Sequence, residues 1–245
     1  MTSAEPIAIA VEHTLTFLAP YVKPGMRLLE VGCGDGALAA RLQSEGVEVT
    51  ALDRDPDAVE RAKARGVAAV TGDFLTYEDE PFDVLLFARV LHHLDSLAGA
   101  VTRATALVRP GGHVIAEEFA VERMNGAGAR WYFDTMALLE AAELVPAPKP
   151  RETEIADPLE RWHARHLEHA PIHEGAAMDE ALARRFEITQ RSTAAYLYRY
   201  ACGRLETSER GMRVARRLFE MERERVSDGS LPAIGLRIVG RKSRG

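Results

Sequence analysis

A glycine-rich segment at residues 32–36 constrains the fold more than any other feature of this 245-residue chain. It reads Gly-Cys-Gly-Asp-Gly and lies between a short apolar segment, residues 27–31, and a segment of helical composition, residues 37–43. Glycines between a strand and a helix permit backbone conformations and close approaches that a β-carbon would block. Because a helix N-terminus presents free amides there, we expect the turn to bind a negative group, either a phosphate or a carboxylate.

Strands and helices alternate regularly around this turn. This alternation predicts an α/β domain in which a parallel sheet carries helices on both faces. Right-handed crossovers would place the carboxyl ends of the strands at one edge of the sheet, where ligands bind in doubly wound folds. The predicted strands span residues 27–31, 47–52, 67–71, 82–87 and 113–119, and the predicted helices span residues 3–20, 37–43, 55–66 and 97–108.

The alternation ends near residue 122. Residues 126–185 are rich in predicted helix, and residues 186–200 recover strand character. A long charged helix is predicted over residues 208–226, and a final strand over residues 236–240. The second half of the chain therefore carries a helical insertion followed by further strands.

Acidic residues end two of the predicted strands. Asp53 comes 21 residues after Gly32, where a carboxylate can accept hydrogen bonds from both hydroxyls of a ribose. Asp73 can accept from an exocyclic amine, and Phe74 can lie against a flat ring. These residues predict a nucleoside site. The glycine spacing also fits the dinucleotide fingerprint, so an NAD-dependent oxidoreductase stays open, although no Tyr-x-x-x-Lys pair follows.

Taken in order, several motifs resemble those of class I S-adenosylmethionine-dependent methyltransferases of the small-molecule branch. The resemblance covers residues 26–119. It implies a Rossmann-like, doubly wound fold with a mostly parallel seven-stranded sheet, an antiparallel last strand and a helical insertion after strand five. The motifs are residues 28–39, Asp53, residues 72–74, residues 82–85 with residues 91–94, and residues 109–112.

The same resemblance implies S-adenosylmethionine as cofactor and S-adenosylhomocysteine as product. Glu30 and the backbone of residues 32–36 would surround the amino-acid end of the cofactor. An arginine side chain is less usual at the place of Arg89, and recognition of an acidic substrate is its alternative role. The expected cofactor-binding residues are Glu30, Gly32, Cys33, Gly34, Gly36, Asp53 for the ribose, Arg54, Asp73 and Phe74 for the adenine, and Arg89.

Three residues near the ends of strands four and five are candidate general bases. The imidazole is a side chain suited to proton removal at neutral pH, so His92 and His93 are candidates, although a structural role is the alternative. Glu118 is expected to face the crevice, where it would contact substrate or simply end the strand. Four histidines between His163 and His173 are expected to form a polar helix face, and no metal site is predicted.

Composition and charge narrow the class of partner. The formal charge of −6 argues against a nucleic-acid partner, which calls for a concentrated basic face. Neither a secretory leader nor an apolar run of about 18 residues is visible, so we expect a cytoplasmic enzyme with no membrane partner. Two cysteines far apart in sequence suggest no disulfide framework.

These observations predict a single methyltransferase domain that acts on a small molecule at oxygen or nitrogen. The alternative is a non-methylating member of the fold, either a cofactor-binding scaffold or a lyase. The insertion is expected to supply specificity for the acceptor. The parts of the domain are an N-terminal helical cap (residues 1–25), a cofactor-binding half (26–121), a helical lid (122–185) and the C-terminal strands and helix (186–245).

Overall fold

A computed structural model describes residues 5–146, 155–167 and 172–244 of the chain. Two short 3-10 turns, Leu91–His93 and Val121–Arg123, join the regular elements. The helices and strands are, in chain order, α1 (Ile7–Leu18), β1 (Arg27–Val31), α2 (Ala37–Ser44), β2 (Glu48–Asp53), α3 (Pro56–Ala64), β3 (Ala69–Thr71), β4 (Phe82–Ala88), α4 (Leu97–Leu107), β5 (Val108–Phe119), α5 (Gly126–Ala141), α6 (Pro158–Leu167), α7 (Gly175–Ala183), β6 (Glu187–Ala194), α8 (Tyr198–Cys202), α9 (Glu209–Ser227) and β7 (Gly235–Arg241).

The seven strands form one sheet in the order β3-β2-β1-β4-β5-β7-β6. The strands from β3 through β5 pair in parallel. β7 is antiparallel to β5, since Lys242 donates its N–H to Gly112 and accepts from Gly111, both over 2.9 Å. The predicted Rossmann-like α/β fold, with its antiparallel last strand, is therefore confirmed.

The central strands explain why the sheet forms. Every residue of β4 except Asp83 is buried, and Leu28 and Leu29 of the neighbouring β1 have no exposed surface. Such continuous apolar runs are typical of parallel strands that carry helices on both faces. The chain order reverses between β1 and β4, so the carboxyl ends of these two strands border the crevice in which doubly wound folds bind ligands.

Two elements differ from the sequence prediction. β5 begins at Val108 rather than His113, because the predicted turn at residues 109–112 is a bulge inside the strand. Val108 pairs with Phe82 and His113 with Val84, so residues 109–112 lie opposite Asp83 alone. The strand predicted over residues 186–200 is divided into β6 and the short helix α8.

The chain forms two compact units. The sheet unit comprises Val11–Phe119, His173–Ser192 and Leu236–Gly245. The helical unit comprises the other described residues and has an aromatic core in which the rings of Tyr132, Trp162 and Tyr200 meet edge to face, 5.5–5.6 Å between centroids. Within the described ranges, no helix is long and apolar enough to cross a membrane.

Candidate functional site

The glycine-rich loop follows β1 at the ligand edge of the sheet unit. Gly32, Gly34 and Gly36 have φ angles of 74°, 56° and 74°, in the left-handed region that favours glycine. A β-carbon on Gly32 would lie 2.6 Å from Cβ of Val90, and one on Gly36 would lie 2.8 Å from Cβ of Ala62. The loop therefore requires glycine both for its conformation and for close packing.

Asp53, at the end of β2, holds this loop. Its Oδ2 accepts a hydrogen bond of 2.9 Å from the N–H of Gly34, and its Oδ1 accepts one of 3.0 Å from the N–H of Asp55. Asp55 in turn caps α3 by accepting from the N–H of Asp57. The two acids thus have separate roles, and Asp53 is the one that faces the loop.

Glu30 of β1 is a buried carboxylic acid beneath the loop. Its side chain is 1% exposed, and Oε2 has no hydrogen-bond partner among the described residues. Burial raises the pKa of Glu30 to about 8, against the opposing effect of the positive charge on Arg89. The nearby carboxylates of Asp35 and Asp53 raise the pKa further. A cationic group beside Oε2 would satisfy this carboxylate.

A cleft of about 210 Å³ opens at the ends of β1, β2 and β3. Asp73 is exposed at its wall, and its Oδ1 accepts a hydrogen bond of 2.9 Å from the N–H of Leu75. Phe74 is only 2% exposed, and its ring meets Phe87 edge to face at 5.2 Å. The cleft is lined by Val31, Gly32, Leu52, Asp53, Arg54, Gly72, Asp73, Phe74, Leu75, Val90, His93, Leu94 and Asp95.

Cys33 of the loop and Arg54 after β2 are two further residues expected to bind the cofactor. Cys33 is 7% exposed, and burial raises the pKa of its thiol to about 12. The thiol is therefore protonated near neutrality and is not a nucleophile. The exposed Arg54 directly follows Asp53 at the mouth of the cleft.

Glu118 occupies a different place from the one expected. It does not face the crevice, because its side chain is fully buried and both oxygens bind the turn that follows β4. Oε1 accepts from the N–H groups of Val90 and Leu91 at 2.8 and 2.7 Å, and Oε2 lies 2.5 Å from Nδ1 of His92. Glu118 thus fixes the 3-10 turn Leu91–His93 and is not accessible to a substrate.

The two histidines of this turn, His92 and His93, have different surroundings. His92 is 4% exposed and bound to Glu118, whereas His93 lines the cleft. The two rings lie 4.0 Å apart between centroids. His173 secures the other end of the turn, since its N–H donates to the carbonyl of His92 over 3.0 Å and its Nε2 donates to the carbonyl of Leu94 over 2.8 Å.

Among the residues that the structure describes, no group of three or more His, Cys, Asp or Glu side chains could hold a metal ion. His163 is exposed, and His166 hydrogen-bonds the carbonyl of Trp162 over 2.8 Å. His169 lies outside the described residues. His166 and His173 therefore have separate local partners.

Sequence reasoning missed a buried ionic cluster around Glu117, which is 2% exposed. Arg237 of β7 donates to Oε1 of Glu117 from Nε and Nη2 at 3.0 and 2.7 Å, and Thr14 donates to Oε2 at 2.5 Å. Arg89 lies 3.5 Å from the same Oε2 through Nη1. The available signal was a single arginine inside the apolar segment of residues 236–240.

Comparison with known proteins gives one family. Residues 7–187 match the model of a family described as "Methyltransferase domain". A ubiquinone biosynthesis O-methyltransferase of Alkalilimnicola ehrlichii is 28% identical over 187 residues, 72% of this chain and 73% of that protein. Relatives of the same name from Xylella fastidiosa align over 158 residues, which is 61% of their length.

Solved structures share the fold at low identity. The N-methyltransferase NodS of Bradyrhizobium japonicum, in complex with S-adenosyl-L-homocysteine, has a TM-score of 0.55 at 15% identity and covers 97% of this chain and 87% of its own. The cyclase SpnF has a TM-score of 0.59 at 19% identity, covering 96% of this chain and 82% of its own. At this low sequence identity, the two similarities show a shared fold and nothing about the reaction.

Proposed function

The chain belongs to the class I S-adenosylmethionine-dependent methyltransferases, and we propose that it methylates a hydroxyl oxygen of a small molecule. One observation supports the cofactor site: the left-handed glycine loop meets Asp53 beside the buried Oε2 of Glu30, which has no hydrogen-bond partner among the described residues. The choice of oxygen is supported by the names of the curated relatives and by the imidazole of His93 in the cleft.

The residues at this edge fit the cofactor's chemistry. The orphaned Oε2 of Glu30 suits an ammonium group, since a buried carboxylate needs a cationic or hydrogen-bonding partner. A β-carbon on Gly34 would meet no atom within 4 Å, so the loop leaves open space at this point. Asp53 retains a lone pair on each oxygen for the ribose hydroxyls. Asp73 accepts from the adenine amine, and Phe74 gives its apolar edge to the ring.

The bound cofactor supplies an electrophilic methyl group. The chain's own residues hold the acceptor oxygen in line and keep water away, and alignment of this kind is worth about 7–11 kcal/mol. A hydroxyl must lose its proton as it is methylated, and His93 accepts that proton at an imidazole nitrogen. Of the two neighbouring histidines, His93 lines the cleft, whereas His92 is buried against Glu118.

Glu118 and His92 are positioning residues in this scheme. The carboxylate of Glu118 fixes the amides at the start of the turn and the imidazole of His92, on which the ring of His93 rests. His173 fixes the carbonyls at the end of the turn. A base held from both sides keeps its geometry toward the acceptor without loss of conformational entropy during the reaction.

We propose that the predicted insertion at residues 122–185 determines which acceptor is methylated. Exchanging this segment with that of another family member should change which acceptor is methylated while cofactor affinity is retained. Loss of cofactor binding in a folded exchange variant would contradict this assignment.

The proposed reaction is tested by incubating the protein with methyl-deuterated S-adenosylmethionine and a panel of hydroxylated and aminated small molecules, with detection by mass spectrometry. A labelled methyl ether is expected. His93→Gln should lower the rate about 100- to 10,000-fold and remove the fall in rate on the acidic side of the pH profile, which protonation of the base causes. His113→Asn is the matched control, because His113 lies in the amino-terminal half of β5. Labelled amines alone would contradict O-methylation, and tight cofactor binding without any product would favour a non-methylating role.

A further inference from the structure

Arg89 is an unusual residue at the ligand edge of the sheet. It directly follows β4 and has a φ angle of 61°, in the left-handed region that a non-glycine residue seldom adopts. Such strained conformations are concentrated at functional sites. The side chain is 33% exposed, yet Nη1 is buried and makes no hydrogen bond to any described residue.

The carboxylate nearest to Arg89 already has its counterion. Glu117 receives two hydrogen bonds from Arg237 and a third from Thr14, whereas Arg89 approaches it only to 3.5 Å. Two guanidinium groups therefore share one carboxylate. The charge of Arg89 is the less compensated of the two, since Arg237 makes the closer contacts.

The neighbouring strand carries a second buried polar atom that lacks a hydrogen bond to the described residues. β1 pairs with β4, and Oε2 of Glu30 on β1 is buried without a hydrogen bond to any residue that the structure describes. The charges of Glu30 and Arg89 influence each other, but no hydrogen bond joins the two side chains in the described structure. One buried carboxyl oxygen and one buried guanidinium nitrogen thus remain without a hydrogen bond to any described residue beside the glycine loop.

A zwitterion satisfies both atoms. The amino-acid end of the cofactor carries an ammonium and a carboxylate on one carbon atom, and a guanidinium is well suited to bind a carboxylate. We propose that Arg89 binds the carboxylate of the cofactor's amino-acid end while Glu30 binds the ammonium. This inference rests on the proposed placement of the cofactor, and it makes Arg89 a determinant of cofactor specificity rather than a receptor for an acidic acceptor.

Three ligands that differ only at this end test the inference by calorimetry. S-adenosylhomocysteine has both charged groups, its decarboxylated analogue has only the ammonium, and 5′-methylthioadenosine has neither. The wild-type protein should bind S-adenosylhomocysteine about tenfold or more tightly than the decarboxylated analogue. In Arg89→Met these two dissociation constants should converge, while that of 5′-methylthioadenosine stays the same and shows that the variant is folded.

Two further variants test partial recovery of the preference and provide a control. Arg89→Lys should recover part of the preference, because it keeps the charge and loses the planar fork. Arg41→Met, at an exposed arginine of α2, should behave as the wild type. An Arg89→Met protein that keeps the tenfold preference, or loses affinity for all three ligands equally, would overturn the inference alone. A wild-type protein that binds none of the three would overturn the placement of the cofactor and the inference with it.

Discussion

The carboxylate of Asp53 accepts a hydrogen bond of 2.9 Å from the backbone N–H of Gly34. This contact ties the end of β2 to the middle of the glycine-rich loop. The other oxygen accepts from the N–H of Asp55, so both oxygens are engaged and each still has a free lone pair. One side chain can therefore shape the loop and bind a ligand at the same time.

Asp53→Ala is predicted to weaken binding of S-adenosylhomocysteine by about 1–3 kcal/mol, because the proposed ribose contacts are lost. The variant should also unfold at lower urea concentration, since two backbone amides lose their acceptor. Calorimetry and urea titration measure the two effects. Asp57→Ala, at an exposed position in the first turn of α3, serves as control and should leave affinity unchanged. An unchanged dissociation constant in Asp53→Ala would count against the proposed site.

Gly32→Ala is predicted to destabilise the protein more than Gly66→Ala. Both glycines have left-handed φ angles, 74° and 81°, so each substitution costs about 1–2 kcal/mol of backbone strain. Only at Gly32 would the new methyl group also collide with Val90, at 2.6 Å, whereas a β-carbon on Gly66 meets nothing within 4 Å. Urea unfolding of the two variants measures the difference. Equal losses of unfolding free energy in the two variants would contradict this prediction, because they would show that Val90 moves aside without an energetic penalty.

Glu30→Gln is predicted to flatten the dependence of stability on pH. Burial raises the pKa of Glu30 to about 8 in the folded protein, compared with an ordinary value of 4.5. Between these values the folded state holds more protons than the unfolded state, so the free energy of unfolding falls as pH rises. Urea titrations from about pH 5 to about pH 8 should therefore show a steeper decline for the wild type than for the variant. Parallel declines would contradict a buried, protonated Glu30.

Glu118→Ala is predicted to cost about 3 kcal/mol or more, because it leaves the backbone N–H groups of Val90 and Leu91 and the buried imidazole of His92 without this partner. Amide exchange at Val90 and Leu91 should accelerate together with this loss. Glu78→Ala removes a carboxylate that is 85% exposed and should change stability little. A stable Glu118→Ala protein with protected amides at the turn would contradict the positioning role.

The first half of the fold could be predicted because its signals are local. β1 has the predicted bounds, and the glycine loop, Asp55 and Pro56 mark the starts of α2 and α3. A continuous apolar run such as β4 needs no distant information to be recognised as a buried parallel strand. The approximate positions of the strands up to residue 119 followed from these patterns.

Contacts between distant residues could not be predicted in the same way. α8 begins where a strand was expected, because the buried carboxylate of Glu222 accepts the N–H groups of Tyr196, Leu197 and Tyr198. This carboxylate acts as a helix cap from another helix, which local propensity does not encode. The sequence around Tyr198 alone therefore indicated the wrong element.

The expected orientation of Glu118 was wrong for a related reason. Successive residues of a strand point to opposite faces, so Glu117 and Glu118 could not share one environment. The pattern did not indicate which partners compensate each buried charge. Arg237 binds one carboxylate and His92 the other, and both partners became evident only from the fold.

Isothermal titration calorimetry of the purified protein with S-adenosylmethionine and, separately, with NAD shows which cofactor the glycine loop binds. S-adenosylmethionine should bind with a dissociation constant on the order of micromolar, and NAD should not bind. Binding of NAD instead, or of neither ligand, would contradict the assignment of this glycine loop and its acidic partners to the methyl donor.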